Sequence, residues 1–235
     1  MRASNAGFAL IFALIFAVCL GAAWGATPPG TPRVAAPPAP AATPENERAA
    51  RAVLDAFDAV VKINVSAIAN ARSLRTLGRE REGSAVVLAP SGLILTIGYL
   101  ILEAESITVT ENGGKSFSAT VVAYDHATGF GLIKPTVPLP VKGVAIGESG
   151  NVAENERLIF ATWGGKENAS LATVSSKRRF AGYWEYLIEN AIFTVPPRAD
   201  HSGAALINRE GKLVGIGSLV VADAAQPNRR FPGNM

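Results

Sequence analysis

The sequence predicts an all-β protein of barrel or sandwich type, entered through one short helix, and three observations carry that expectation. Eleven short runs rich in Val, Ile, Leu and Thr follow one another from residue 60 to residue 219. Turn formers separate them, as in Pro90-Ser91-Gly92, Asn112-Gly113-Gly114 and Arg209-Glu210-Gly211. No long helical pattern alternates with these runs, which argues against a parallel α/β sheet. The runs show no fixed period either, which argues against a propeller.

The chain opens with a different texture. Arg2, an apolar run over 8–20 and small residues over 21–26 have the layout of a secretory signal peptide. Thirteen apolar residues are short for a bilayer span, so a cleaved leader over residues 1–25 is expected, with no membrane span remaining afterwards. Cys19 is the only cysteine and lies in that leader, so the mature chain has no disulfide and no thiolate chemistry. Residues 26–44 form a Pro/Ala-rich linker: seven of the fifteen prolines fall between Thr27 and Pro44, which favours an extended tether. Thr43-Pro44-Glu45 is a helix-start signal. Ala49, Val53, Leu54 and Phe57 then recur at helical spacing, predicting an amphipathic helix over 45–59.

The predicted strands follow over 60–65, 84–88, 93–97, 106–110, 118–122, 131–134, 157–161, 169–175, 185–188, 205–208 and 213–219. With 235 residues and 49% hydrophobic composition, the chain is long enough for a sizeable core. The net charge of +3 is modest. Its basic groups, Arg72, Arg75, Arg79 and Arg81 or Lys177-Arg178-Arg179, read as solvated loops rather than a nucleic-acid face. Gly164-Gly165-Lys166 lacks the spacing of a phosphate loop and reads as a turn. Tyr183-Trp184-Glu185-Tyr186 reads as an aromatic packing anchor. Two histidines, His126 and His201, do not make a metal site, and no cofactor is expected.

Six motifs in order resemble the HtrA/Deg-type serine proteases, the bacterial envelope branch of the trypsin fold. They are Gly83-Ser84-Ala85-Val86-Val87-Leu88 with Gly92-Leu93-Ile94-Leu95-Thr96; Ala104–Val109 with Phe117-Ser118-Ala119; Asp125–Lys134; Ile146-Gly147-Glu148-Ser149; Ser202–Asn208; and Gly211–Ile216. The resemblance implies two six-stranded antiparallel β-barrels in a protease domain over 45–235. The chain ends at Met235, where the family continues into a last barrel strand, a C-terminal segment and a PDZ module. The expectation is therefore an incomplete second barrel or the shortened product of a longer reading frame.

Carried over residue by residue, the resemblance places Ser202 at the nucleophile. Tyr99 stands where the family has its histidine, and Gly129 where it has its aspartate. The oxyanion hole falls on the backbone N–H groups of Asp200 and Ser202, with Asp200 replacing a glycine. A serine hydroxyl needs a base to take its proton. Tyrosine, ordinarily titrating near pH 10, is a donor at neutral pH, and glycine cannot orient a base. The expectation is an exported pseudoprotease of the periplasm or secreted space that binds unfolded polypeptides, peptides or envelope partners, and no nucleic acid. Two rivals stand beside it: a serine endopeptidase or esterase that recruits His201 or His126 as a rearranged base, and a purely structural envelope domain.

Overall fold

A computed structural model describes residues 44–182, 187–226 and 230–235. The predicted leader, nearly all of the predicted linker and the aromatic cluster Tyr183–Tyr186 lie outside them. The helix α1 (Pro44–Asp58) forms as the periodicity predicts, with proline at its start. Ala56 is buried, and the backbone of Ala52 meets the turn at Gly211 so closely that a Cβ there would lie 2.4 Å from the Ala52 carbonyl carbon. With φ +75°, Gly211 is the residue this approach requires.

Six strands close the first barrel: β1 (Val60–Ala67), β2 (Glu80–Val87), β3 (Ile94–Ile97), β4 (Ala104–Thr110), β5 (Ser116–Tyr124) and β6 (Phe130–Pro135), in the order β1-β2-β3-β6-β5-β4. Every pairing is antiparallel. Strand alternation decides which side chains fill it: Val61, Ile63 and Val65 are buried, while Lys62 and Asn64 face outward. They meet Val86, Ile94, Ile107, Val109 and Ile133 in one buried cluster, each such side chain contributing about 1.5–3 kcal/mol of burial. Two short helices join these strands, α2 (Leu74–Leu77) and α3 (Gly98–Ile101).

The second set of strands does not close. β7 (Arg157–Ala161), β8 (Ala169–Phe180), β9 (Ile188–Val195), β10 (Ala205–Ile207), β11 (Leu213–Ile216), β12 (Val220–Val221) and β13 (Gly233–Asn234) form one seven-stranded sheet. Its order is β11-β10-β7-β8-β9-β13-β12. Phe160, Leu158, Val174, Leu206 and Val214 make its main core, with a smaller cluster around Phe193, Ala224 and Met235.

Three expectations need correction. Of the strand predicted over 185–188, residues 185 and 186 lie outside the described residues; β9 begins at Ile188 and runs to Val195, and its half-polar start, Ile188-Glu189-Asn190-Ala191, hid its extent. Arg81 is not a solvated residue but is 6% exposed, its guanidinium satisfied by four oxygens. Lys177, Arg178 and Arg179 lie on β8 rather than in a loop. Lys177 binds the carbonyls of Ser149, Gly150 and Val152. Arg178 pairs with Asp223 over the Phe193 ring, and Arg179 with Glu189. Among the described residues no helix is long and apolar enough to cross a membrane.

Candidate active site

The loop carrying Ser202 is held by contacts that only small residues permit. Ser84 N–H on β2 donates to Ser202 O at 2.9 Å, and a Cβ on Gly83 would sit 2.8 Å from the same oxygen. Gly203 has φ +74°, and a Cβ there would lie 1.9 Å from Ser84 O. Thr96 Oγ1 donates to that same Ser84 carbonyl at 2.8 Å. On the other side Gly203 N–H donates to Gly217 O at 2.9 Å, and Gly217 N–H to Ala204 O at 2.8 Å. The glycines of the Gly83-Ser84 and Ser202-Gly203 motifs are thus a close backbone approach between β2 and the serine loop.

Tyr99 comes from α3, directly after β3. The burial of its turn is paid for by Arg81, which donates to Tyr99 O at 2.9 Å, Leu102 O at 2.7 Å, Ser73 Oγ at 2.7 Å and Gly78 O at 3.2 Å. Desolvation lowers the Arg81 pKa, partly countered by Glu103. Glu103 in turn accepts from Ser73 Oγ at 2.6 Å and from the N–H groups of Arg72 and Ser73. Hydrogen bonds from Ser73 hold its carboxyl below the usual range.

The tyrosine ring, 8% exposed, reaches across to the serine. Its hydroxyl lies 2.9 Å from Ser202 Oγ and 2.7 Å from the carbonyl oxygen of Ser218. A phenol carries one proton, and a backbone carbonyl can only accept. The Tyr99 hydroxyl is the donor in both contacts, so its one proton is shared between Ser202 Oγ and Ser218 O.

Gly129 is brought next to this turn: Gly98 N–H donates to Gly129 O at 2.6 Å. Its φ of +76° is a left-handed conformation. The neighbouring Asp125 carboxylate does not stand in for an aspartate there. It accepts from Thr128 Oγ1 at 2.6 Å and Ala127 N–H at 3.0 Å, closing its own turn, and those bonds lower its pKa. His126 is exposed and stacks on Tyr124, ring centroids 4.5 Å apart. His201 Nδ1 lies 3.1 Å from Arg198 O, so that nitrogen carries the proton. Among the described residues, Tyr99 is the only side chain hydrogen-bonded to Ser202 Oγ.

Asp200 is where the sequence argument needs refinement. Its carboxylate is not a bare charge beside the serine: Arg198 holds both oxygens, with Nε to Oδ1 at 2.9 Å and the second guanidinium nitrogen on Oδ2. Thr162 Oγ1 adds a bond to Oδ2 at 3.1 Å. The Arg198 hydrogen bond is the leading cause of its lowered pKa. Arg198 is fixed in turn by Ser170 Oγ at 3.0 Å and by Asn234, whose side chain accepts Arg198 N–H at 2.7 Å and donates to Arg198 O at 3.0 Å. Sequence reasoning missed Arg198, Arg81 and Ser218. The spacing of Arg198 and Asp200 was a usable signal for the first; the other two act through long-range contacts.

The profile of the trypsin-like peptidase domain matches residues 83–216, from the Gly83-Ser84 approach through β11. The periplasmic pH-dependent serine endoprotease DegQ of Escherichia coli is 29% identical over 147 residues, covering 61% of this chain and 32% of DegQ. The putative serine protease HhoA of Synechocystis is 26% identical over 163 residues, covering 65% of this chain and 41% of HhoA. The chain spans about a third of the length of the first curated relatives it matches. Among solved structures, the HtrA-type protease AlgW with tripeptide superposes with a TM-score of 0.60 at 20% identity, over 79% of this chain and 58% of that one. The active form of the Rv3671c protease from M. tuberculosis gives 0.58 at 21% identity, over 81% and 79%.

Proposed function

The chain belongs to the trypsin-like peptidase domain family, with HtrA/Deg-type proteases as its relatives, and from that premise we propose that it is an exported member that holds polypeptide without cutting it. The observation that carries this reading is the single phenol proton shared between Ser202 and Ser218. A seryl nucleophile needs a base in hydrogen-bond reach, and the side chain in reach is a donor. Disabling a triad as a unit lowers turnover by about 10⁶-fold, equivalent to about 8 kcal/mol of barrier.

Polypeptide binding is proposed on two grounds. The serine loop is anchored on β2 and on Gly217, just after β11, and the fold is shared with AlgW, solved with a tripeptide. Export is proposed from the leader over residues 1–25 and from relatives named as periplasmic. The test is purified protein incubated with an unfolded casein substrate and with a serine-directed fluorophosphonate. Neither cleavage nor labelling above the Ser202→Ala background is expected. Cleavage that Ser202→Ala abolishes would overturn the proposal.

A further inference from the structure

The turn between β4 and β5, residues 111–115, gathers groups that the serine cleft does not use. Asn112-Gly113 is the one Asn-Gly pair of the chain, and the Asn112 amide is held at both ends although the residue is exposed. Its Nδ2 donates to Phe57 O in the last turn of α1 at 3.2 Å, and its Oδ1 accepts the Gly164 N–H at 2.9 Å. The carboxylate before it is fixed as well: Glu111 Oε2 accepts the Gly113 N–H at 2.5 Å and Oε1 the Lys115 N–H at 3.0 Å. Those bonds, the one from Gly113 first, lower the Glu111 pKa and keep the group ionised at neutral pH.

Together these contacts fill the roles of an intramolecular acyl transfer. The Gly113 nitrogen is the nucleophile: its attack on Asn112 Cγ closes a succinimide ring, and glycine adds no side chain to obstruct the approach. Glu111, in hydrogen-bond reach of the proton that nitrogen must lose, is the base. The Gly164 N–H lies at the distance from Oδ1 that suits an oxyanion donor. It is presented at φ +102°, a conformation that glycine holds without strain. In sequence Asn-Gly is a turn pair; the placing of base and donor around its amide comes from the fold.

We propose that Asn112 is a self-modification site, where the folded chain speeds its own deamidation with Glu111 as base and the Gly164 N–H as oxyanion donor. Glu111 takes the Gly113 N–H proton, the freed electron pair forms the bond to Cγ, and negative charge collects on Oδ1. The Cγ–Nδ2 bond then breaks, Oδ1 regains its double bond, and Nδ2 leaves as ammonia with the proton that Glu111 returns. Water opens the succinimide at either carbonyl to give aspartate or isoaspartate. The product has lost the donor to Phe57 O. It also adds a carboxylate to a recess already lined by Asp55, Asp58 and Glu111, with Lys142 the one cation of that lining. The end of α1 is held less tightly as a result. None of these steps needs a ligand or Ser202, so the site is independent of the polypeptide-holding role proposed above.

The test follows the full chain and a synthetic peptide of residues 107–118 side by side in neutral buffer over weeks. Mass spectrometry of digests reads the exchange of amide for acid, and isoaspartyl methyltransferase labelling reads the rearranged product. Conversion at Asn112 is expected, and faster in the folded chain than in the peptide. Glu111→Gln keeps an acceptor for the Gly113 N–H but supplies no base; it slows the folded chain about 10²-fold and changes the peptide little. Asn112→Asp, the direct product, melts below wild type, with circular dichroism confirming that both variants are folded. A folded chain that reacts no faster than the peptide, or a Glu111→Gln rate equal to wild type, overturns the proposal. Melting of Asn112→Asp at the wild-type temperature overturns the loosening of α1.

Discussion

Replacing Tyr99 with phenylalanine isolates the proton allocation on which the inactive reading rests. The ring stays, so no cavity opens in the 8%-exposed site. What is lost is one hydroxyl touching Ser202 Oγ at 2.9 Å and Ser218 O at 2.7 Å. Ser218 is 3% exposed, and losing one hydrogen bond to its carbonyl costs about 0.5–1.5 kcal/mol. Ser202 is half-buried and finds water instead, adding about 0.5 kcal/mol. The total of about 1–2 kcal/mol corresponds to a fall in Tm of about 2–8 °C for a domain of this size. Ser202→Ala, by contrast, leaves the Tyr99–Ser218 bond in place and is expected to cost less than about 1 kcal/mol. Urea unfolding of both single variants and the double variant gives the comparison, with a coupling of about 0.5–1 kcal/mol between the two hydroxyls. The opposite ranking, a near-neutral Tyr99→Phe beside a costly Ser202→Ala, would mean that the phenol proton does not hold Ser202 and Ser218 together. The proton argument would then fail.

Two further outcomes follow from the loop geometry. Gly203→Ala puts a Cβ 1.9 Å from Ser84 O at φ +74°, so a loss of more than about 3 kcal/mol is expected, measured by thermal melting. Asp200 contributes an acid-sensitive increment: its folded pKa is lowered, first by the Arg198 hydrogen bond. That stability is therefore complete above the unfolded carboxylate pKa, near 4, and is lost as pH falls through the lower folded value. Asp200→Asn should flatten the acid limb of the stability curve while changing little at pH 7 beyond the lost ion pair. An acid limb identical to wild type would show that Asp200 is not its source.

The barrel half of the fold was legible because its strands alternate cleanly. Val61, Ile63 and Val65 against Lys62 and Asn64 can be read from the sequence without coordinates. β9 was not, since its polar residues Glu189 and Asn190 break the apolar pattern and its burial is set by Phe193 and Ala191 alone among the third cluster's fully buried residues on that strand. β12 and β13 are two residues each, too short for periodicity to register. At the site, Ser202, Tyr99 and Gly129 could be named from motif order, because each sits at a fixed offset from a glycine or threonine landmark. The roles of Ser218 and Arg81 could not. A carbonyl acceptor has no sequence signature, and Arg81 among Arg72, Arg75 and Arg79 differs from them only in being folded under α3.

On the proposed reading, supplying histidine and aspartate at 99 and 129 should not by itself produce hydrolysis, and the reason lies in the backbone. Tyr99→His supplies an imidazole, but with glycine at 129 nothing orients it; losing the orienting carboxylate costs about 10⁴ in kcat in a serine protease. Adding Gly129→Asp places the carboxylate on a residue at φ +76°, a conformation costing an L-residue about 1–2 kcal/mol. Its side chain then leaves the backbone in a direction this turn did not evolve to aim. The hole is a third obstacle, since Asp200 stands where the resemblance implies a glycine and Arg198 fixes its carboxylate in place. Fluorophosphonate labelling is therefore expected to stay at background in Tyr99→His and in Tyr99→His/Gly129→Asp, and to require Asp200→Gly as well before any signal rises. Ser202-dependent labelling of the single variant would show instead that one ring was all that separated this cleft from catalysis.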